Sequence, residues 1–138
     1  MPVSDIALTE VVTADRNTAV TAIAARMEAE NVGSVLVLEE SDLVGIVTDR
    51  EIALSLADDP DATDRTADEV MTEDPVTVPS DAGVTELVRR MEDAGVRRMP
   101  VVDDGDLAGI VTLDDVLVLL TEEFDDAVDV VKRQSPRF

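Results

Sequence analysis

Two short stretches hold most of the residues with usable chemistry. The first is Arg97-Arg98, placed directly before an apolar run with no adjacent acid. A guanidinium donates two hydrogen bonds from a planar fork, a geometry suited to phosphate. The second is Thr112-Leu113-Asp114-Asp115, where a β-rich run passes into a helical pattern. A helix start offers unpaired backbone N–H groups that favour an anion. The Thr112 hydroxyl can donate to a phosphate oxygen, and the Asp115 carboxylate can accept from both hydroxyls of a diol. The same residue types also serve as plain helix caps. Arg97 or Arg98 can equally pair with a surface acid, so local sequence leaves both readings open. Arg89 and Arg90 stand beside Glu86, Glu92 and Asp93 and read as solvated ion pairs.

Other chemistry is excluded by what is missing. The 138 residues contain no histidine and no cysteine. There is thus no histidine-based triad, no thiol nucleophile, no imidazole or thiolate for zinc and no disulfide. No phosphate-cradling glycine motif is present. Acidic runs such as Asp103-Asp104-Asp106 and Asp125-Asp126-Asp129 are of a type that binds hard cations. In a chain with 32 acids they are expected as solvated turns and faces. Catalysis is therefore not the expected function.

The 32 acids face 11 bases, for a net charge of −21. This excludes nucleic-acid binding by a general basic surface, which needs clustered Lys and Arg. Hydrophobic content of 45% argues for a packed core rather than disorder. Asp outnumbers Glu by 20 to 12, and Lys132 is the one lysine against ten arginines. Such a surface resembles that of proteins from salt-accumulating halophiles. The N-terminus has no basic region followed by an apolar run, and no apolar stretch approaches the ~20 residues of a membrane span. The expected location is cytoplasmic, without membrane contact.

The elements that must position these residues come in two copies. Shifted by 64, the sequence matches itself without a gap. Val20-Thr21 falls on Val84-Thr85, Arg26-Met27-Glu28 on Arg90-Met91-Glu92, and Gly45-Ile46-Val47-Thr48 on Gly109-Ile110-Val111-Thr112. The units span 1–64 and 65–125, with an acidic linker at 58–64 and a C-terminal helix extension and tail at 126–138. In each unit a helical pattern comes first: Val20, Ile23, Ala24 and Met27, or Val84, Leu87, Val88 and Met91. Asn17 or Thr18, and Ser80 or Asp81, are the expected N-caps, and Asn31 and Gly95 the stops. Two β-rich runs follow as a hairpin, 34–38 with 43–48 and 98–102 with 107–112. Helices then start near Asp49 and Leu113. With a short first strand at Val12-Thr13 or Val76-Thr77, each unit reads β-α-β-β-α. Leu117, Leu120, Phe124, Val128 and Val131 continue a stripe along the last helix, which suits a dimer seam or the protein's own core.

These residues resemble a tandem pair of CBS domains, the module named after cystathionine β-synthase. The likeness rests on Val70-Met71-Thr72-Glu73-Asp74-Pro75-Val76-Thr77-Val78, on Arg98-Met99-Pro100-Val101-Val102-Asp103, and on Gly109-Ile110-Val111-Thr112-Leu113-Asp114-Asp115. The first unit is a looser copy, with Glu51 where the second has Asp115. The resemblance implies an α/β (α+β) fold of two pseudo-twofold-related units packed through their sheets. It implies clefts for adenosine-type ligands such as AMP, ADP, ATP or S-adenosylmethionine, no required cofactor, and control of a separate partner protein by a homodimer. The alternative is a ligand-independent docking module with vestigial sites.

The family pattern builds each site across both units. Thr112, Asp115, Arg98 and Arg97 would face an adenine wall of Ala7, Val12, Val32, Gly33 and Ser34. The reciprocal, weaker site would use Thr48 and Glu51 against Met71, Val76 and Val96. Glu51 is one methylene longer than Asp, and Ser34 stands where the other unit has Arg98. Arg50 either compensates there or is a surface residue.

Overall fold

The computed structural model describes residues 1–134. The end of the expected tail, 135–138, lies outside the described residues. The chain runs β1 (Thr13–Ala14), α1 (Val20–Glu30), β2 (Ser34–Glu39), β3 (Asp42–Thr48), α2 (Asp49–Asp58), α3 (Ala67–Val70), β4 (Thr72–Glu73), β5 (Val78–Pro79), α4 (Val84–Ala94), β6 (Arg98–Asp103), β7 (Asp106–Thr112) and α5 (Leu113–Gln134). The result is a mixed α+β fold with two sheets, ordered β1-β2-β3-β4 and β5-β6-β7.

The first helix of each unit forms as its periodicity requires. α1 buries Val20, Ile23 and Met27, and α4 buries Leu87 and Met91. Asn31 and Gly95 end them in the left-handed conformation, at φ 53° and 66°. The expected N-caps are displaced, because the caps are Ala19 and Gly83. Thr18 is held in a turn before the helix, where the Asp15 N–H donates to its hydroxyl and the hydroxyl donates back to Asp15. Ser80 instead donates its N–H to the Val102 carbonyl, continuing the sheet edge. The short first strands lie one and two residues later than expected, at Thr13–Ala14 and Val78–Pro79.

Both hairpins form with matching registers. Ser34 pairs with Thr48 and Arg98 with Thr112, and each hairpin carries an irregularity at the equivalent place, Val37/Leu38 and Val101/Val102. Their turns have two successive positive φ values, 51° and 84° at Glu40-Ser41 and 50° and 84° at Asp104-Gly105. A glycine takes the second value without a Cβ penalty, and serine does not. Ser41→Gly is therefore expected to stabilise the fold by about 0.5–1 kcal/mol in a urea titration.

Each opening segment belongs to the opposite sheet. β4 pairs with β3, and Leu8 bridges Ile110 on β7. The cores follow the same exchange: Val3 packs with Val78, Leu87, Met99, Val101, Val111 and Val116, while Ala67 packs with Ile23, Met27, Val35, Val37 and Val47. Two glycines permit the crossings. A Cβ on Gly109 would meet the Leu8 carbonyl oxygen at 2.5 Å, and one on Gly45 would collide with the Met71 side chain. The arginines one turn from the end of the two helices also act alike, Arg26 donating to the Thr13 carbonyl and Arg90 to that of Thr77.

α5 is 22 residues long, about 33 Å. Val116 is its one buried residue among those described, and Leu117, Leu120, Phe124 and Val131 are exposed. The stripe is thus not covered by the protein's own core. No helix among the described residues is long and apolar enough to cross a membrane.

Candidate functional site

The β6–β7 register builds one wall. Arg98 and Thr112 are direct cross-strand partners, so their side chains emerge side by side on one face. The Leu113 N–H donates to the Arg97 carbonyl at 2.8 Å, tying the start of α5 to the start of β6. An equivalent bond from Asp49 to the Gly33 carbonyl, 3.0 Å, fixes the start of α2.

The two braced corners face one another. Arg98 Nη1 lies 3.8 Å from Asp49 Oδ1. Its guanidinium covers Gly33 so closely that a Cβ there would lie 3.0 Å from Arg98 Cζ and 3.2 Å from Asp49 Oδ2. Between the corners lies a cleft of about 480 Å³, within the roughly 300–1,000 Å³ usual for small-molecule sites. Leu8, Glu10, Val11 and Val12 line it from the crossing segment, and Asn31, Val32, Gly33, Ser34 and Leu36 from the end of α1 and β2. Asp49, Arg50, Arg97, Arg98, Ile110, Thr112 and Asp114 complete the lining.

The electrostatics are local. Arg50, Arg97 and Arg98 meet Glu10, Asp49 and Asp114, a balanced set in a chain of net charge −21. Among the described residues Arg50 and Arg97 form no ion pair. Two cationic forks therefore remain for an anion in a partly enclosed space, where charge acts more strongly than in open water.

Of the residues the sequence singles out, the structure brings Val12, Val32, Gly33, Ser34, Arg97, Arg98 and Thr112 into this cleft. Ala7 packs against the second core, and its neighbour Leu8 takes the lining position. Asp115 closes a reciprocal helix cap: its N–H donates to Thr112 Oγ1 at 3.2 Å, and its Oδ2 accepts from the Thr112 N–H at 3.1 Å. Asp114, one residue earlier, lines the cleft. Arg50 also lies here rather than at the reciprocal position.

The reciprocal residues are arranged differently. Thr48 caps α2 by accepting from the Glu51 N–H at 3.2 Å. Glu51 accepts from the hydroxyls of Thr48 and Thr72, one on each carboxylate oxygen, both at 3.0 Å. Met71 lies over Gly45 and packs with the first core. Val76 and Val96 are exposed. Among the described residues no group of three or more His, Cys, Asp or Glu is arranged to hold a metal ion. The acidic runs at 103–106 and 125–129 thus lack a coordinating arrangement.

Sequence reasoning did not place Leu8, Glu10, Val11, Asn31, Leu36, Asp49, Ile110 or Asp114 in this cleft, and it weighed Arg50 only for the reciprocal site. The close pass of Leu8 over Gly109 had a signal in the lone glycine of each Gly-Ile-Val-Thr block.

Compared with known proteins, the CBS domain family matches residues 3–58 and again 67–122. The chain is a tandem pair of CBS domains. It is 33% identical over 116 residues to the CBS domain-containing protein YhcV of Bacillus subtilis, covering 84% of this chain and 83% of that one. An uncharacterized protein of Methanopyrus kandleri is 36% identical over 118 residues, 83% of this chain and 60% of that protein. This CBS pair therefore spans only part of the length of that relative. Among solved structures, the CBS pair of protein MJ0100 aligns with a TM-score of 0.79 at 30% identity, covering 87% of this chain and 99% of that one. That protein was crystallised with 5′-methylthioadenosine and S-adenosyl-L-methionine.

Proposed function

We propose that this CBS pair is a regulatory sensor that binds one adenosine-type ligand in the Arg98–Thr112 cleft and modulates a separate partner protein. The observation that carries the reading is the pairing of Arg98 and Thr112 across β6–β7, opposite Gly33 and Asp49 of the other unit. A ligand here touches both units at once. Its phosphates or other anionic group would meet Arg97, Arg98 and the start of α5, and its base would lie against Val12, Val32, Gly33 and Ser34. Asp115 would take the ribose hydroxyls through Oδ1, which accepts no hydrogen bond from the described residues. AMP, ADP, ATP and S-adenosylmethionine are the candidates, and the ligands of the MJ0100 pair support the class. The role is regulatory rather than catalytic, and the proposed location is cytoplasmic.

The reciprocal site, with both Glu51 oxygens already engaged, is the weaker of the two. Thermal shift in molar KCl with AMP, ADP, ATP, S-adenosylmethionine, 5′-methylthioadenosine and NAD tests the reading. A rise with at least one adenosine compound is expected. No rise with any of them would favour a ligand-independent docking module.

Gly33→Ala probes the same cleft from the opposite wall. The new methyl would displace the flexible end of Arg98, not backbone. Stability should change by less than about 1 kcal/mol, because a side chain tip can move away. Ligand affinity, read by calorimetry, should fall about tenfold with the loss of one well-placed guanidinium contact.

A further inference from the structure

Arg98 has a carboxylate partner from the other unit. Its Nη1 lies 3.8 Å from Asp49 Oδ1, with the two side chains 34 and 64% exposed. Two hydrogen bonds fix where that carboxylate stands. The Asp49 N–H donates to the Gly33 carbonyl at 3.0 Å, and the Arg50 N–H donates to Asp49 Oδ1 at 2.8 Å. The same guanidinium covers Gly33, against which the base of a ligand would rest. A separation of 3.8 Å exceeds the roughly 2.7–2.9 Å of a charge-assisted hydrogen bond. An anion that bonds Arg98 directly can therefore take it from Asp49, and the released carboxylate then faces that anion.

The pair has no counterpart at the pseudo-symmetric corner. The shift of 64 sets Asp49 on Leu113 and Ser34 on Arg98, so neither charge is repeated there. Asp49 is thus a feature of this cleft rather than of the duplicated fold. Its charge also completes a balance. Arg50, Arg97 and Arg98 meet Glu10, Asp49 and Asp114 around the lining. Once one anionic group sits on Arg97 and Arg98, Arg50 is left to offset three carboxylates. Each further negative charge on the ligand then adds repulsion, in a partly enclosed space where charge acts strongly.

We infer that Asp49 sets the charge the cleft accepts: by competing for Arg98 it favours adenosine compounds with a single anionic group, such as AMP or S-adenosylmethionine, over ADP and ATP. The inference rests on the adenosine reading above and adds the ligand's charge to it. Calorimetry of the full chain with 5′-methylthioadenosine, AMP, ADP and ATP tests it, without divalent cations so that each phosphate keeps its charge. In about 1 M KCl the screening length is roughly 3 Å, so a carboxylate acts mainly on groups it touches. Wild-type affinity should not rise beyond AMP. In Asp49→Asn the ratio of ATP affinity to 5′-methylthioadenosine affinity should increase at least tenfold. The ratio cancels any gain that all ligands share when Arg98 leaves Gly33. Asp49→Ser should act alike, and both variants should keep the far-UV spectrum because the Asp49 side chain is exposed. In an Arg98→Gln background the same substitutions should change the ratio less than twofold, a dependence that a purely structural role for Asp49 would not produce. ATP bound tenfold tighter than AMP by the wild type, an unchanged ratio in both variants, or the full gain without Arg98 would each overturn the inference and leave the adenosine reading standing. If neither the wild type nor either variant bound any of the four compounds, both would fall together.

Discussion

Asp115→Ala is expected to abolish the ligand-induced rise in melting temperature while leaving the protein folded. Removal of a charge-assisted pair of hydrogen bonds to the ribose costs about 1.5–3 kcal/mol, or roughly 10–150-fold in affinity. The substitution also opens the cap that Asp115 shares with Thr112. Loss of a cap costs about 1 kcal/mol and lowers stability with or without ligand. Glu51→Ala supplies the matched comparison, because Glu51 closes the equivalent cap on α2. Its stability should fall similarly, yet its ligand shift should persist. A full shift in Asp115→Ala, or two equal sites in calorimetry of the wild type, would contradict the assignment of one working cleft.

The second large effect is that of salt. With 32 acids against 11 bases, the folded chain is strained by its own charge. The hairpin turns concentrate it, at Glu39-Glu40-Ser41-Asp42 and Asp103-Asp104-Gly105-Asp106, all exposed. The screening length falls from about 10 Å at 0.1 M to about 3 Å at 1 M. The melting temperature should therefore rise steeply between 0.1 M and molar KCl. If calorimetric scans across that range give a flat or falling melting temperature, the halophile reading of the composition is wrong. The ion pairs of Arg16 with Glu39 and Asp68 are exposed and would weaken over the same range, so a net rise would identify repulsion as the larger contribution.

How much of this was legible follows from what a repeat can encode. Aligned copies located α1 with α4, both hairpins, both left-handed helix ends and the capped starts of α2 and α5, because these depend on neighbouring residues. Val3 and Ala67 align equally well, yet each packs in the opposite core. Self-similarity relates one copy to the other and is silent on which copy a segment joins. The crossing came instead from the family resemblance, which sets Ala7 and Val12 in the cleft; the structure keeps Val12 there and puts Leu8 in place of Ala7. Arg50, next to Thr48 in sequence, reads either as compensating at the reciprocal site or as a surface residue, while its side chain lines the cleft across the molecule. Helix α3 went unseen because four residues are too few to show a period. The stripe on α5 was visible, but only the helix's departure from the core showed that it lacks a cover.

The exchange of opening segments also sets a timetable for synthesis. Leu8 leaves the ribosome well before Ile110 and finds its partner only when that residue has followed. At ordinary elongation rates, roughly 5–20 residues per second, that is a wait on the order of 5–20 seconds. β4 joins β3 much earlier, since Thr72 follows Ile46 closely in the chain. The first sheet is therefore complete while the second still lacks its strands. The segment around Leu8 is without its sheet partner through that interval. The wall that Leu8 supplies to the cleft is therefore set only after β7 has been made.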